Sequence, residues 1–175
     1  MKNLALIAGC LLTLTAAEAQ EMPKPQKEHE WLQQIVGEWE TEGEVLEPGK
    51  PPTKTKGSES SRLIGGFWAL SEHKGDFMGT PFTGILTLGF NPEKKKYVGT
   101  WVDSLTSRLW TYEGSVDEAG KILTLDTEGP GQDGKPAKFR ESIEVKDKDH
   151  KSYSSSVYQD GKWVTFLTIK YTRKK

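Results

Sequence analysis

The side chains able to do chemistry are few and scattered. His29, His73 and His150 are the only histidines in the 175 residues. No two of them fall at the spacing by which one element presents a pair of metal ligands, so a metal site is not expected. A haem-binding barrel needs one proximal histidine pointing inward. His150 is the candidate, because its register mate across a turn would be Val145; the competing reading is a strand-end histidine half in solvent. His29, between Glu28 and Glu30, reads as a solvated helix residue, and His73 as the end of a strand. Ser154-Ser155-Ser156 has no histidine that spacing would bring near. Gly-x-Ser-x-Gly, His-Glu-x-x-His, P-loop and dinucleotide fingerprints are absent. Many Asp and Glu lie on strands, yet nothing selects a pair for carboxylate hydrolysis. The expectation is a protein that is not an enzyme and carries no cofactor.

Two acidic residues stand out by position, and the elements that hold them show why. From Glu38 onward the apolar period is two, in segments rich in Thr, Val, Ile, Trp and Tyr punctuated by Gly, Pro, Asn and Asp. Strands are expected near 38–46, 57–64, 66–74, 82–90, 96–103, 108–116, 121–128, 138–146, 150–158 and 162–172. Asp160-Gly161 is a strong hairpin signal. No segment between strands is long enough for a crossover helix, so the strands are antiparallel. Ten hairpin-linked strands leave two raw edges unless the sheet closes, which favours an up-and-down barrel over a two-sheet sandwich.

Register then assigns the faces. Pairing Asn91 with Lys96 sets Leu88 opposite Gly99, and pairing Asp103 with Arg108 sets Trp101 opposite Trp110. Pairing Val116 with Lys121 sets Tyr112 opposite Leu125. All three hairpins put Phe82, Leu86, Leu88, Phe90 and Tyr97 on one face with Trp101, Trp110, Tyr112, Leu123 and Leu125. Thr87, Thr100, Thr111, Glu113, Thr124 and Asp126 fall on the other. A one-residue slip would swap the faces, so the aromatic face is the interior. Asp103 and Glu141 share it. A buried carboxylate is costly unless paired or hydrogen-bonded. Asp103 reads either as a ligand contact or as a solvated residue at the barrel mouth near Arg108. Glu141 reads either as a ligand contact or as the acceptor of a hydrogen bond from Ser154 or Ser156. With Trp68, Trp101, Trp110 and Tyr112 they form the candidate ligand-binding set. Gly99, flanked by Tyr97 and Trp101, reads as unfilled space.

The remaining chain sets the context. Gln26 to Val36 carries Trp31, Leu32, Ile35 and Val36 on one helical stripe, with Pro25 in the first turn and Gly37 at the C-cap. That predicts one helix of about three turns over one end of the barrel. Met1-Lys2-Asn3, the apolar run Leu4 to Leu14 and Ala17-Glu18-Ala19 form a signal peptide with cleavage before Gln20. The run is too short to span a bilayer. Cys10, the only cysteine, sits in a poor lipoprotein box, and its loss with the leader excludes thiol chemistry and disulfides. The 24 basic and 25 acidic residues are interspersed, giving net charge −1 and no footprint for nucleic acid. The domains are therefore 1–19 leader, 20–36 lead-in and helix, and 37–175 barrel; oligomeric state is not legible.

Gly37-Glu38-Trp39 is similar to the Gly-x-Trp opening of lipocalin-type (calycin) barrels. Met22-Pro23-Lys24-Pro25, that opening, Val98-Gly99-Thr100-Trp101, Leu109-Trp110-Thr111-Tyr112-Glu113-Gly114 and Leu123-Thr124-Leu125-Asp126-Thr127-Glu128-Gly129-Pro130 together resemble a bacterial family known as domain of unknown function 1579. The resemblance implies a lipocalin-like barrel with Trp39 plugging its closed end, and no activity. The expected protein is a periplasmic or secreted barrel able to hold a small apolar ligand. The alternative is an envelope interaction or structural module with a filled core. Expression in a bacterial host should yield a mature chain beginning at Gln20, read by intact mass; a diacylated Cys10 would contradict it.

Overall fold

The computed structural model describes residues 22–175; the leader and Cys10 lie outside them. Ten strands follow one another: β1 (Gly37–Val45), β2 (Thr53–Ile64), β3 (Trp68–Phe77), β4 (Thr80–Asn91) and β5 (Lys96–Asp103). The second half comprises β6 (Trp110–Val116), β7 (Ile122–Pro130), β8 (Pro136–Val145), β9 (His150–Gln159) and β10 (Lys162–Arg173). Each pairs antiparallel with its sequence neighbours, and β1 pairs with β10 to close the barrel. Closure removes both edges.

The interior face is the expected one. Leu88 lies opposite Gly99, Trp101 opposite Trp110, and Gly99 opposite Tyr112. The β6–β7 register differs by two residues: Leu125 lies opposite Gly114 rather than Tyr112. The cause is Asp117, whose carboxylate accepts from the Lys121 and Ile122 amides and so closes the turn one residue later. A shift of two keeps every side chain on its face. One β-bulge, between Thr165 and Leu167, interrupts β10.

The helical segment is shorter than the stripe predicts. α1 (Lys27–Glu30) passes into a 3-10 turn (Trp31–Gln34). His29 is a buried residue, not a solvated one: its Nδ1 accepts the Gln26 amide at 2.9 Å, and its ring meets Phe67 and Phe90 edge-on. The helix cannot continue past Ile35 because that carbonyl is taken by the barrel. It accepts from Trp39 Nε1 at 3.1 Å, Ser61 Oγ at 3.3 Å and Lys151 Nζ at 2.8 Å. Two further tethers fix the cap: Trp31 Nε1 donates to Gly120 O and Tyr97 Oη to Glu28 O. Trp31, Leu32 and Ile35 are thereby buried against Leu88, Tyr97 and Leu123, closing this end.

Trp39 is fully buried at the same end, between Lys151 and the Arg173 guanidinium, which stacks 4.0 Å from its ring. Leu32→Ala should therefore destabilise the fold by about 2–5 kcal/mol. Deleting the chain up to Val36 should cost more, because it strips three large apolar side chains from the barrel end. Chemical denaturation checks both, and an unchanged midpoint would show that the cap does not close the barrel.

Candidate functional site

The inward side chains divide the barrel into two unequal halves. Under the cap, Leu88, Leu123 and Leu125 are buried almost completely. Toward the other end, where the hairpin loops 78–79, 104–109 and 131–135 lie, Leu86, Trp101, Trp110, Phe139 and Val157 face inward but are only half-buried. This half, where the inward side chains are least covered, is the candidate chamber. Trp101 and Trp110 lean on glycines of neighbouring strands: a Cβ at Gly84 or Gly129 would strike their rings. Phe82 stacks on Trp101 at 5.9 Å, and Phe139 meets Trp110 edge-on at 5.4 Å.

Five of the six expected site residues share this face. Asp103 stands at the mouth, where Oδ2 accepts from Trp101 Nε1 at 2.9 Å and Oδ1 from the Leu105 and Thr106 amides. It therefore orients an indole and caps a loop, and makes no ion pair with Arg108, which instead lies 4.8 Å over the Trp110 ring. Tyr112 is buried two strands from Glu141. Trp68 is the exception. It is 42 % exposed on the outer face, its ring over Gly89, because Ala69 takes the inward position of β3. Gly99 does not mark empty space either. A Cβ there would collide with the Thr87 carbonyl oxygen, so this glycine lets β4 and β5 approach.

Glu141 is buried at 7 % exposure. Its carboxyl accepts from Ser155 Oγ at 3.0 Å and from Tyr153 Oη. Ser155, not Ser154 or Ser156, is the partner because it lies directly opposite on β9. Burial pushes the Glu141 carboxyl up to about 7, against the two hydroxyls that favour the ionised form. The same burial, with the Glu141 charge, raises the Tyr153 and Tyr112 phenols.

A second polar group spans the barrel between cap and chamber, and the sequence reading missed it. Lys151, on β9, pairs with Glu59, on β2, at 2.8 Å, both with side chains about 5 % exposed or less. His73, on β3, faces the same Glu59 at 3.7 Å and stands edge-on to Trp101 at 5.1 Å. Its Nε2 is buried without a hydrogen-bond partner. Burial lowers the His73 imidazole despite Glu59, so the ring is neutral near pH 7. The Lys151 ammonium is lowered by the same cause. His150, the candidate for an inward ligand, is the strand-end histidine half in solvent that the competing reading describes: its ring meets Asp147 at 2.9 Å, and Lys151 holds the inward position opposite Val145. The signal available was the alternation through Lys151, Tyr153 and Ser155. Among the described residues no group of three or more His, Cys, Asp or Glu is arranged to hold a metal, and no helix is long and apolar enough to cross a membrane.

Two concavities flank the chamber. One of about 310 Å³ lies on the open rim beside Arg108 and Gly129. The larger, about 770 Å³, is an open groove at the capped end between Lys27, Trp31 and Lys95. It holds none of the buried polar groups, so the chemistry belongs to the chamber.

Residues 24–173 match the family described as Protein of unknown function (DUF1579). The chain belongs to this family. Its fold is similar to Rv2717c from M. tuberculosis, with a TM-score of 0.59 and 15 % identity over 87 % of this chain and 100 % of that one. It is equally similar to the S-type phycobiliprotein lyase CPES from Guillardia theta, with a TM-score of 0.59 and 15 % identity over 86 % of this chain and 94 % of that one. At such identity these likenesses establish the barrel fold. No curated protein sequence matches the chain.

Glu141 makes stability depend on pH. Its carboxyl holds a proton up to about 7 in the fold against 4.5 ordinarily, so between those values the folded chain binds more protons than the unfolded one. The contribution, about 3 kcal/mol, is fully present below pH ~4.5 and lost as pH rises through ~7. Urea midpoints across this window should fall less steeply in Glu141→Gln than in the parent; parallel slopes would show that Glu141 does not carry the effect.

Proposed function

We propose that this DUF1579 protein is an exported, non-enzymatic barrel that binds a small, largely apolar ligand in its open chamber. The observation that carries the reading is the gradient of burial along the inward face. Under the cap Leu88, Leu123 and Leu125 are buried almost completely, whereas Leu86, Trp101, Trp110 and Phe139 are only partly buried. A core that merely stabilised the fold would gain by covering those rings too. Apolar walls with a few fixed polar groups are the usual make-up of a small-molecule site. Glu141, Tyr112 and the free Nε2 of His73 supply those groups. A barrel of about eight strands or more can hold one ligand in its lumen. A fold neighbour that is a phycobiliprotein lyase is compatible with such a use. Export rests on the leader at 1–19.

An apolar fluorescent probe should bind the mature protein and quench its tryptophan emission. Val157→Trp, which enlarges an inward residue opposite Phe139, should weaken that binding at least tenfold with little change in melting temperature. Equal affinity in parent and variant would place the probe elsewhere. Absence of binding by any probe would favour the filled-core interaction module.

A further inference from the structure

We propose that the chamber's ligand is an organic cation, an ammonium-type head group on an apolar body, held by the Glu141 carboxylate and the surrounding aromatic faces. This rests on the chamber-binding reading above and adds the charge of the ligand to it.

The charge inventory of the inward face points to it. Among the described residues, Lys151 and Arg173 are the cations at inward strand positions, and both lie at the capped end: Glu59 neutralises Lys151 at 2.8 Å, and Arg173 stacks on Trp39 and donates to the Val36 carbonyl. The chamber beyond holds Glu141 and Asp103 with no inward cation of its own. Asp103 is spent on Trp101 and on two loop amides. Glu141 is not: it receives only the neutral hydroxyls of Tyr153 and Ser155. A carboxylate buried to 7 % with no countercharge is the costliest state of that side chain, and a bound cation is what would make it favourable.

The walls suit the same guest. Phe139 lies two residues along β8 on the same face, edge-on to Trp110, which neighbours Trp101. Aromatic faces carry negative quadrupole density and attract cations, tryptophan most strongly. Trp110 already shows this at the rim, where the exposed Arg108 guanidinium lies over its ring at 4.8 Å. Tyr112 is 9 % exposed and its hydroxyl makes no hydrogen bond, leaving an oxygen free to contact a head group. Glu141 is acted on by the Tyr153 and Ser155 hydroxyls, Tyr153 in turn by Glu141, Tyr112 and Tyr171, and Tyr112 by Glu141 and Asp103, none of them a cation. An anionic guest would meet uncompensated repulsion there. A neutral one would leave Glu141 to hold its proton.

The test uses three probes of one shape on the mature protein: naphthylmethyl-trimethylammonium, naphthalenemethanol and naphthoate, by tryptophan quenching and calorimetry. At pH ~8 the cation should bind at least tenfold more tightly than the alcohol, and naphthoate most weakly. The preference should shrink as pH drops below about 7, where Glu141 takes up its proton. Binding at pH ~7 should release about half a proton per cation, read from the buffer dependence of the heat. Glu141→Gln, which keeps the shape and an acceptor oxygen, should erase the preference for the cation over naphthalenemethanol. Should Glu141→Gln misfold, the proton release by the parent protein still decides. An alcohol that binds as well as the cation, a preference surviving Glu141→Gln, or binding without proton release would overturn the proposal and leave chamber binding intact. Failure of all three probes would overturn chamber binding itself.

Discussion

The Ile35 carbonyl is the point on which the capped end depends. It accepts three hydrogen bonds, from Trp39 Nε1, Ser61 Oγ and Lys151 Nζ, and each donor comes from a different strand. An oxygen with three donors stops the helix where it stands. It also pins the cap to β1, β2 and β9 at once. Lys151 then links that oxygen to Glu59, so one ammonium ties the cap to the barrel wall. Burying such a pair is seldom a net gain against a well-packed apolar alternative, but removing either partner alone is costly, about 3–5 kcal/mol. The arrangement holds a geometry more than it lowers an energy. With the cap fixed, Trp39 is enclosed, and the small groups Ser61 and Ser71 fit beneath it as buried polar residues.

What the cap closes determines what stays open. Ten strands close the barrel, and the helical segment supplies Trp31, Leu32 and Ile35 to only one end. At the other, short turns join the strands and leave Met78, Leu105 and Leu109 exposed on the rim. The inward indoles respond by lying against Gly84 and Gly129, along the walls, so bulk is kept at the periphery. Six tryptophans could have filled a core; in this arrangement two of them line one.

How much of this could be read from the residues depended on parity. The β6–β7 hairpin is displaced by two residues from the simplest turn, yet Tyr112, Leu123 and Leu125 still face inward, because displacement by two preserves the face. The β8–β9 turn shows the opposite case. Placing His150 opposite Val145 is an error of one, and it turns an exposed histidine inward while hiding Lys151, the residue that anchors the cap. Alternation through Lys151, Tyr153 and Ser155 was the signal available, but an inward lysine runs against the apolar pattern until its partner Glu59, 92 positions away, is known. Trp68 failed for a related reason: an aromatic residue is no guide to a face where a glycine on the next strand offers it an external seat. The helical stripe identified the right residues, but not their 3-10 geometry, which tertiary hydrogen bonds impose.

The two buried acids show why their partners matter more than their burial. Glu59 and Glu141 are both inward and both less than a tenth exposed. Glu59 faces an ammonium across the barrel, so its charge is compensated within the protein and serves architecture. Glu141 faces hydroxyls, which stabilise a carboxylate weakly enough that burial prevails and the proton is held up to about 7. The difference is set by what stands opposite each residue. A protein that needed only a stable wall at Glu141 could carry an apolar side chain there at no cost in desolvation, or a glutamine at less cost than a carboxylate. A carboxyl poised to ionise, beside a phenol without a partner and among partly buried rings, is the arrangement on which the proposed cationic ligand rests.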